Sequence, residues 1–402
     1  MTPHVPAPDP PADGTLPPSA LDGLGARPFG IYVHVPFCAT RCGYCDFNTY
    51  TKGELGSSAS PESWLDAVRA ELALATRVLG APPPVDTVFV GGGTPSLLGS
   101  DGLAAVHDAV RDSIGLAPSA EVTAEANPES TSPEFFAGLA AAGYTRVSLG
   151  MQSAALHVLA TLDRTHTPGR AVAAAREARA AGIAHTSLDL IYGTPGESAD
   201  DLAASLDAVL AAGVDHVSAY ALVVEPGTAL ARRVARGELS APDDDVLADR
   251  YELLDAVLSA AGLHWYEVSN WARTEAARCR HNLGYWSGGD WWGAGPGAHS
   301  HVGGVRWWNV KHPARYAAMA ASRSPAAGRE VLDAQDQFTE RVMLGLRLAD
   351  GLPRNVLDEA GAIAAHRAVT DGLLTDAPGA RLVLTPRGRL LADAVVRELV
   401  TA

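Results

Sequence analysis

The feature that most constrains the fold is a regular alternation of short β-rich runs with longer helical patterns between residue 28 and about residue 260. Each β-rich run carries β-branched or aromatic residues, and most lead into Gly or Pro, as strands do at their ends. The predicted strands are "FGIYVHVPF" (29–37), "VDTVFVGG" (85–92), "EVTAEAN" (121–127), "RVSLGM" (146–151), "HTSLDLIYG" (185–193) and "HVSAYALVV" (216–224).

The segments between these strands read as amphipathic helices. In "SADDLAASLDAVLAAG", Ser198 and Asp201 form a capping-box pattern, and Gly213 ends the predicted helix. Strand–helix alternation of this kind predicts parallel strands joined by right-handed crossovers. Six such units form a partial or complete α/β barrel, in which the working residues lie at the C-terminal ends of the strands.

The barrel region and the sequence on either side of it divide the chain into four predicted parts. Residues 1–27 are rich in Pro, Gly and small residues and are predicted to be a disordered tail. Residues 28–263 form the barrel, and residues 264–329 form a connecting segment. It holds one further strand candidate, "HWYEVSNWA", and the loop-like "CRHNLGYWSGGDWWGAGPGAHSH". Residues 330–402 are predicted to form a small, mainly helical, winged-helix-like C-terminal domain with a hairpin at "GLLTDAPGARLVLTPRG".

The charge and cysteine content narrow the classes of function. A formal net charge of −15 opposes a broad surface for nucleic acid or anionic lipid. The sequence has no apolar run long enough to span a bilayer and no secretory signal pattern, so membrane insertion is not expected. Four cysteines, three of them clustered, are more typical of metal binding or redox chemistry than of disulfides, which favours a cytoplasmic location.

Three cysteines follow the first predicted strand in "FCATRCGYCDF", as Cys38, Cys42 and Cys45. Three interpretations of this spacing compete. A structural zinc could use these thiols with His34. One of the three could be a reactive thiol, with the other two cysteines taking no part in its chemistry. Three thiolates could instead hold three irons of a [4Fe–4S] cluster and leave the fourth iron open. The third is favoured, because zinc ligands usually come as two spaced pairs and the sequence has no second pair.

The thiol spacing resembles the signature of the radical S-adenosylmethionine (SAM) superfamily, C-x-x-x-C-x-aromatic-C, with Tyr44 at the aromatic position. This resemblance implies that SAM chelates the open iron through its amino and carboxylate groups. In active members of the superfamily the reduced cluster cleaves SAM to a radical. The stretch "GGGTPS" (91–96) follows the second strand, and its glycines allow a backbone to come close to a ligand.

Polar residues also follow the later strands. Glu125 ends the third strand and offers a carboxylate for ribose hydroxyls, while Gln152, Arg164 and Asp189 follow further along. The whole region resembles the oxygen-independent coproporphyrinogen dehydrogenases, in which such residues hold two SAM molecules. The resemblance implies a partial (β/α)6 TIM-like barrel and a SAM-binding set of Tyr32, Tyr44, Gly92, Gly93, Thr94, Glu125, Gln152, Arg164 and Asp189.

Two motifs separate this chain from those dehydrogenases. Phe47 stands where they carry a fourth cysteine, and "HNLGYW" (281–286) resembles a motif of the HemW-type heme chaperones. The resemblance implies that His281 binds heme, since a neutral imidazole is a common axial ligand of heme iron. From the residues alone, a lone histidine is more often a hydrogen-bonded core residue. The weaker candidates for a heme ligand are Cys279, His299 and His301.

The sequence therefore predicts a heme chaperone that binds heme, SAM and a [4Fe–4S] cluster. Such a protein passes heme to an apo-protein, for example a respiratory enzyme, and a homodimer is compatible with it. The alternative is a coproporphyrinogen III dehydrogenase, which carries out oxidative decarboxylation in porphyrin biosynthesis. The two differ in whether porphyrin is carried or made; SAM cleavage is required only by the second.

Overall fold

The computed structural model describes residues 9–401. The strands are β1 (Phe29–Val35), β2 (Phe37–Cys38), β3 (Tyr50–Thr51), β4 (Val85–Gly92), β5 (Leu116–Ala126), β6 (Arg146–Gln152), β7 (His185–Tyr192), β8 (His216–Ala221), β9 (His264–Glu267), β10 (Asn270–Ala272), β11 (Asp290–Ala294), β12 (His299–Val302), β13 (Val305–Asn309), β14 (Ala326–Val331), β15 (Leu352–Pro353), β16 (Leu374–Ala377) and β17 (Arg381–Leu384).

The helices lie between and after these strands. None of those within residues 9–401 combines the length and the apolar character needed to cross a membrane. They are α1 (Pro18–Leu21), α2 (Lys52–Leu55), α3 (Pro61–Leu79), α4 (Gly99–Ser113), α5 (Pro133–Ala141), α6 (Leu156–Thr161), α7 (Arg170–Ala180), α8 (Ala199–Ala212), α9 (Ala229–Ala235), α10 (Asp244–Ala260), α11 (Arg280–Trp286), α12 (Pro313–Ala320), α13 (Ala334–Gly345), α14 (Glu359–Thr370), α15 (Pro386–Leu390) and α16 (Ala392–Thr401).

A parallel barrel of six strand–helix units organises the fold. Strands β1, β4, β5, β6, β7 and β8 pair in that order, and every pair is parallel. Beyond β1 the sheet continues through β11, β12, β13 and β14, and beyond β8 it continues through β10 and β9. Because β14 and β9 are the two ends of this sheet, the barrel is open. The predicted partial (β/α)6 barrel is confirmed.

Local signals in the sequence set the helix ends. The Ser198 hydroxyl accepts a hydrogen bond from the Asp201 N–H at 3.2 Å, and the Asp201 carboxylate accepts one from the Ser198 N–H at 2.8 Å. Gly213 ends α8 with a left-handed φ of 71°. This reciprocal capping confirms the predicted start of the helix and satisfies backbone donors that the first turn leaves free.

Alternation along β1 separates the core from the barrel interior. Phe29, Ile31, Val33 and Val35 are fully buried in the main hydrophobic core, which lies between the sheet and the outer helices. The residues between them, Gly30, Tyr32 and His34, point to the other face, because successive strand side chains alternate. That second face is the inside of the barrel.

The aromatic and Gly-rich segment after residue 279 is ordered secondary structure, so its prediction as loop is wrong. It contains α11, β11 and β12, and β11 pairs in parallel with the free edge of β1. Trp292 on β11 is buried and meets Trp307 edge-on, with ring centroids 4.8 Å apart. These strands are short and interrupted by glycine, and their stability comes from pairing with a distant strand.

The N-terminal segment contradicts the predicted disordered tail over residues 9–27. Leu16 and Ala20 are buried in the main core, and the Ser324 N–H donates to the Ala12 carbonyl at 2.8 Å. The backbone of Ala20 lies so close to Gly303 that no Cβ would fit there. Leu16 and Ala20, which lie in a proline-rich stretch of the sequence, are the apolar residues that dock the segment on the core. Residues 1–8, which the same prediction covers, lie outside the described residues.

The C-terminal part has its own small core, which includes Val342, Leu346, Leu382 and Leu399. The predicted hairpin is present as β16 and β17, paired antiparallel, and β15 adds a third strand. Arg389 ties this part to the barrel, because its guanidinium pairs with Asp255 at 2.8 Å.

The docking of the N-terminal segment can be tested by stability. We expect Leu16→Ala to lower the free energy of unfolding by about 2 kcal/mol, because it opens a cavity in the core. The matched control is Ser19→Ala in the neighbouring turn, where the side chain is exposed. Urea denaturation of the full chain measures both. Equal midpoints for Leu16→Ala and Ser19→Ala would mean that the segment is not docked.

Candidate functional site

A cavity of about 640 Å³ runs through the barrel. Cys38, Cys42 and Cys45 lie at its mouth, and Cys279 and Asn282 lie at its far end. The mouth is at the C-terminal ends of the parallel strands, where barrel proteins place their working residues. The volume falls within the range of small-molecule sites.

Small polar side chains line the cavity between these ends. They come from alternate positions of three neighbouring strands, where the inward face of each strand recurs every second residue. Because these side chains are short, the barrel interior stays open instead of being filled by a core. They are Ser148, Ser187 and Ser218, and none of them was predicted from the sequence, although period-2 alternation inside β6, β7 and β8 is the signal that marks them.

Backbone hydrogen bonds tie the thiol loop to the loop after β4. The Gly93 N–H donates to the Val35 carbonyl at 2.7 Å, and the Thr94 N–H donates to the Phe37 carbonyl at 2.8 Å. The Thr94 hydroxyl also donates to the Cys38 sulfur at 3.7 Å. Thr94 and Gly93 therefore fix the first thiol at the end of β1.

Gly92 and Gly93 are required at this contact. Gly92 has φ of 110°, and a Cβ there would lie 2.6 Å from the His34 ring. A Cβ on Gly93 would lie 2.5 Å from the Phe37 carbonyl oxygen. The glycines thus allow the two loops to touch, and they leave the Gly92 N–H free to donate to the Glu125 carboxylate at 3.0 Å.

Burial makes two of the cysteines, Cys38 and Cys45, weaker acids in this cavity. It raises the pKa of Cys38 and raises the pKa of Cys45 to about 11. The Arg164 guanidinium lies nearby. Burial opposes its charge, but the neighbouring Tyr44, Cys42 and Cys45 outweigh that effect and raise the pKa of Arg164. A buried thiol that holds its proton needs a positive partner to become a thiolate, and bound iron provides one.

Two carboxylates face each other deeper in the cavity. Burial raises the pKa of Glu125 to about 7, the charge of Asp189 adds to that shift, and the Gly92 N–H opposes it. Burial also raises the pKa of Asp189, against the hydrogen bonds from Ser148 and Ser187, which donate to it at 2.8–3.1 Å. These groups offer acceptors for hydroxyl or ammonium groups of a ligand.

Gln152 and Arg164 meet above Gly150, where a Cβ would lie 2.9 Å from the Gln152 amide nitrogen and 2.8 Å from the Arg164 guanidinium. Gln152 takes a left-handed φ of 65°, a strained backbone conformation that often marks functional sites. Within residues 9–401 the buried Arg164 Nε has no hydrogen-bond partner. Burying a donor without a partner costs free energy, so a group that accepts its hydrogen bond is expected here. These side chains therefore fit a polar ligand.

The two tyrosines of the predicted SAM-binding set have different surroundings. Tyr44 lines the cavity and packs on the apolar cluster that includes Leu162 and Leu222. Tyr32 instead supports His34, since its hydroxyl lies 3.0 Å from the His34 Nδ1. The other ring nitrogen of His34 lies 2.9 Å from the Asn48 carbonyl. With both nitrogens bonded, His34 cannot complete the zinc set.

The spacing of the thiols also bears on the zinc alternative. Nowhere in residues 9–401 do three or more His, Cys, Asp or Glu side chains converge closely enough to hold a single metal ion. A closed zinc site needs its ligands at about 2.0–2.3 Å from one ion. The thiol loop is therefore more open than such a site.

The ring of His281 is enclosed in this structure, and its role as a heme ligand stays a prediction. The ring is buried under Phe89, with centroids 5.2 Å apart, and both of its nitrogens are bonded. Nδ1 lies 2.8 Å from the Thr87 hydroxyl, and Nε2 lies 2.7 Å from the Tyr285 hydroxyl. Burial lowers the pKa of His281 to about 4. His281 thus anchors α11 at the floor of the barrel.

Cys279 is equally enclosed. Its thiol is buried and lies 3.6 Å from the Glu121 carboxylate, and burial raises its pKa. The same carboxylate accepts the backbone N–H of His281 at 3.0 Å. These contacts tie Cys279 and α11 to Glu121, and the role of Cys279 as a weaker candidate for a heme ligand stays a prediction.

The open parallel barrel with a three-thiol loop at its mouth defines a radical SAM protein, and the model of the Radical SAM superfamily matches residues 32–209. The heme chaperone HemW of Mycobacterium tuberculosis is 66% identical, over 95% of this chain and 98% of that protein. HemW of Escherichia coli is 35% identical, over 81% of this chain and 84% of that protein. This chain belongs to the HemW family.

A solved structure supports the fold independently. The coproporphyrinogen III oxidase HemN of Escherichia coli, described as a radical SAM enzyme, matches with a TM-score of 0.81. The match covers 97% of this chain and 94% of HemN at 22% sequence identity. At that identity the likeness shows a shared fold, and it extends over the C-terminal part as well as the barrel.

The coupling between the two cavity carboxylates gives a test of the site. We expect Asp189→Asn to lower the pKa of Glu125, because it removes a neighbouring negative charge. Carbon-13 NMR titration of Glu-labelled protein measures this pKa, with Glu125→Gln identifying the signal. The control Asp207→Asn removes an exposed carboxylate on α8 and leaves the pKa unchanged. An equal pKa in Asp189→Asn and the wild type would show that the two groups do not face each other.

Proposed function

We propose that this protein is a heme chaperone that also binds a [4Fe–4S] cluster and SAM. The observation that carries the proposal is a thiol loop with three cysteines and with Phe47, whose side chain is 61% exposed, in place of a fourth. Three thiolates leave one iron of a cluster free for SAM. The HemW family, to which the chain belongs, contributes the heme, because its members carry the name heme chaperone.

The cavity residues support binding of the cluster and SAM. Cys38, Cys42 and Cys45 are free thiols on one loop, and Arg164 lies beside them with an unpaired nitrogen. When bound, a reduced cluster supplies an electron to SAM. The protein's own residues do the positioning. The Gly92–Thr94 loop holds the thiol loop, while Glu125, Gln152, Arg164 and Asp189 offer polar groups to the rest of SAM.

The name of the family supports a proposal for the ligand that is carried and for the protein that accepts it. Heme is the cargo, and the acceptor is an apo-protein that takes heme from the chaperone, such as a respiratory enzyme. A homodimer is compatible with this function. The competing function is the oxidative decarboxylation of coproporphyrinogen III, and an assay for protoporphyrinogen separates the two.

The cluster assignment predicts that two cysteine variants differ in their iron and sulfide content. We expect Cys42→Ser to abolish the iron–sulfur absorbance and the bound iron and sulfide after anaerobic reconstitution, because one iron loses its thiolate. Cys279→Ser is the matched control, since Cys279 is the fourth cysteine and is buried away from the loop. We expect the Cys279→Ser variant to retain the cluster. Zinc in place of iron, or equal iron in both variants, would contradict the cluster.

The chaperone function predicts binding and release of heme without porphyrin synthesis. We expect the reconstituted protein to bind hemin, to give a Soret band, and to transfer the hemin to an apo-acceptor such as an apo-cytochrome. The transfer is followed by the shift of the Soret band to that of the acceptor. The same preparation, given SAM, a reductant and coproporphyrinogen III, forms no protoporphyrinogen. Turnover in this assay, or no hemin binding, would overturn the proposed function.

A further inference from the structure

A line of hydrogen bonds in the barrel wall ends on one of the two cavity carboxylates. Ser148, Ser187 and His216 stand side by side on β6, β7 and β8, because the register pairs each with the next. Asp189 follows two residues after Ser187 on the same inward face of β7, and it lines the cavity. Tyr266 on β9 is buried, as are Ser187 and His216. The line therefore runs through buried residues, and Asp189 presents its end to the cavity.

The line has four contacts in succession. The Cys279 N–H donates to the Tyr266 hydroxyl at 3.1 Å, and that hydroxyl lies 2.8 Å from the Nε2 of His216. The Nδ1 of His216 lies 2.9 Å from the Ser187 hydroxyl, which donates to the Asp189 carboxylate at 3.1 Å. Because Cys279 directly precedes α11, the line joins the start of that helix to the cavity.

The groups at the two ends fix the direction of every proton between them. An ionised carboxylate has no proton to give, so Ser187 donates to Asp189 and must accept from the Nδ1 of His216. A backbone N–H only donates, so the Tyr266 oxygen accepts from Cys279, and its own proton is directed at the Nε2 of His216. His216 is therefore the Nδ1–H tautomer, and all four hydrogen bonds point toward Asp189.

The surroundings keep His216 neutral, as this direction requires. Burial lowers the pKa of His216 well below its ordinary value, and the charge of Arg146 acts in the same sense. His185 adds to that effect, and Asp215 opposes it. A protonated imidazole would donate from both nitrogens and would break the line. Hydrogen bonds that all run in one direction polarise one another, so the line strengthens the last donor to Asp189.

We propose that His216 is a positioning residue for SAM, which through Ser187 holds Asp189 as an acceptor for a hydroxyl or ammonium group of that ligand. The Ser148 hydroxyl, from the neighbouring strand, lies 2.8 Å and 2.9 Å from the two oxygens of the same carboxylate. With both serines in place, Asp189 keeps lone pairs for a donor from the cavity. This inference rests on the proposed function, since it names a residue that acts on the SAM site.

Selective labelling of the full chain tests the line directly. We expect nitrogen-15 NMR to show His216 as the Nδ1–H tautomer, with His216→Asn identifying its signal. Carbon-13 titration of Asp-labelled protein follows the pKa of Asp189, and Asp189→Asn identifies that signal. We expect His216→Phe to raise this pKa by about one pH unit, because the charged form loses a polarised donor. His216→Asn, whose amide can still donate to Ser187, restores most of the wild-type pKa.

A double variant shows whether His216 acts through Ser187. We expect Ser187→Ala to raise the pKa of Asp189, and Ser187→Ala/His216→Phe to match Ser187→Ala alone, since the two residues act in one line. His264→Phe replaces an exposed histidine on β9 and leaves the pKa unchanged. Additive changes in the double variant, or an Nε2–H tautomer in the wild type, would overturn the positioning role. The tautomer is measured on the wild-type chain, so it decides even where His216→Phe fails to fold.

SAM binding separates this inference from the proposed function. In the reconstituted chain we expect His216→Phe to bind SAM about fivefold more weakly, which is the loss of one ordinary hydrogen bond. His216→Asn binds SAM as the wild type does. Equal affinities for SAM in His216→Phe and the wild type overturn the positioning role and leave the proposed function in place. No SAM binding by the wild type overturns the proposed function.

Discussion

One buried carboxylate joins the barrel to the sheet that extends beyond it. Glu71 on α3 is buried and accepts hydrogen bonds from the Gly295 N–H at 3.0 Å, the Asn309 amide at 2.8 Å and the Tyr316 hydroxyl. Burial raises the pKa of Glu71 to about 7, against the effect of these three donors. They come from the loop after β11, from β13 and from α12. The Gly295 N–H also donates to the Tyr316 hydroxyl at 3.1 Å, and the Asn309 amide also donates to the Gly295 carbonyl at 2.9 Å. Loss of the Glu71 carboxylate would therefore weaken the whole group and leave the buried Tyr316 hydroxyl without its acceptor, which is costly.

The extension matters because it continues the barrel's own inner face. Gly30 and Tyr32 on β1 pair with Trp291 and Gly293 on β11, so the row that lines the cavity runs outward on the same sheet. Inside the barrel that face is small and polar, and it leaves a cavity. Outside, it becomes aromatic and carries His299. The inner face of the sheet therefore changes beyond β1 from a polar lining to an aromatic one.

The sequence predicted what depends on local pattern. All six barrel strands were found because most of them lead into Gly or Pro and because they alternate with amphipathic helices. The thiol loop was found because its spacing is specific. Strands β11 and β12 were missed, since a Gly-rich aromatic stretch becomes strand only by pairing with β1. The surroundings of His281 were not predicted for a related reason: the motif is a local sequence feature, whereas burial under Phe89 and bonding to Thr87 depend on residues almost 200 positions away.

One side chain joins the thiol loop to the sheet beyond β1. The Asn48 amide, three residues after Cys45, donates to the Pro296 carbonyl at 2.9 Å and to the Lys311 carbonyl at 2.8 Å. A Cβ on Gly297 would lie 2.7 Å from that amide, so this close approach needs a glycine. The Asn48 carbonyl lies 2.9 Å from the Nε2 of His34 on β1. Because Asn48 is bonded on both sides, the end of the thiol loop is anchored to β1 and to the extension of the sheet at the same time.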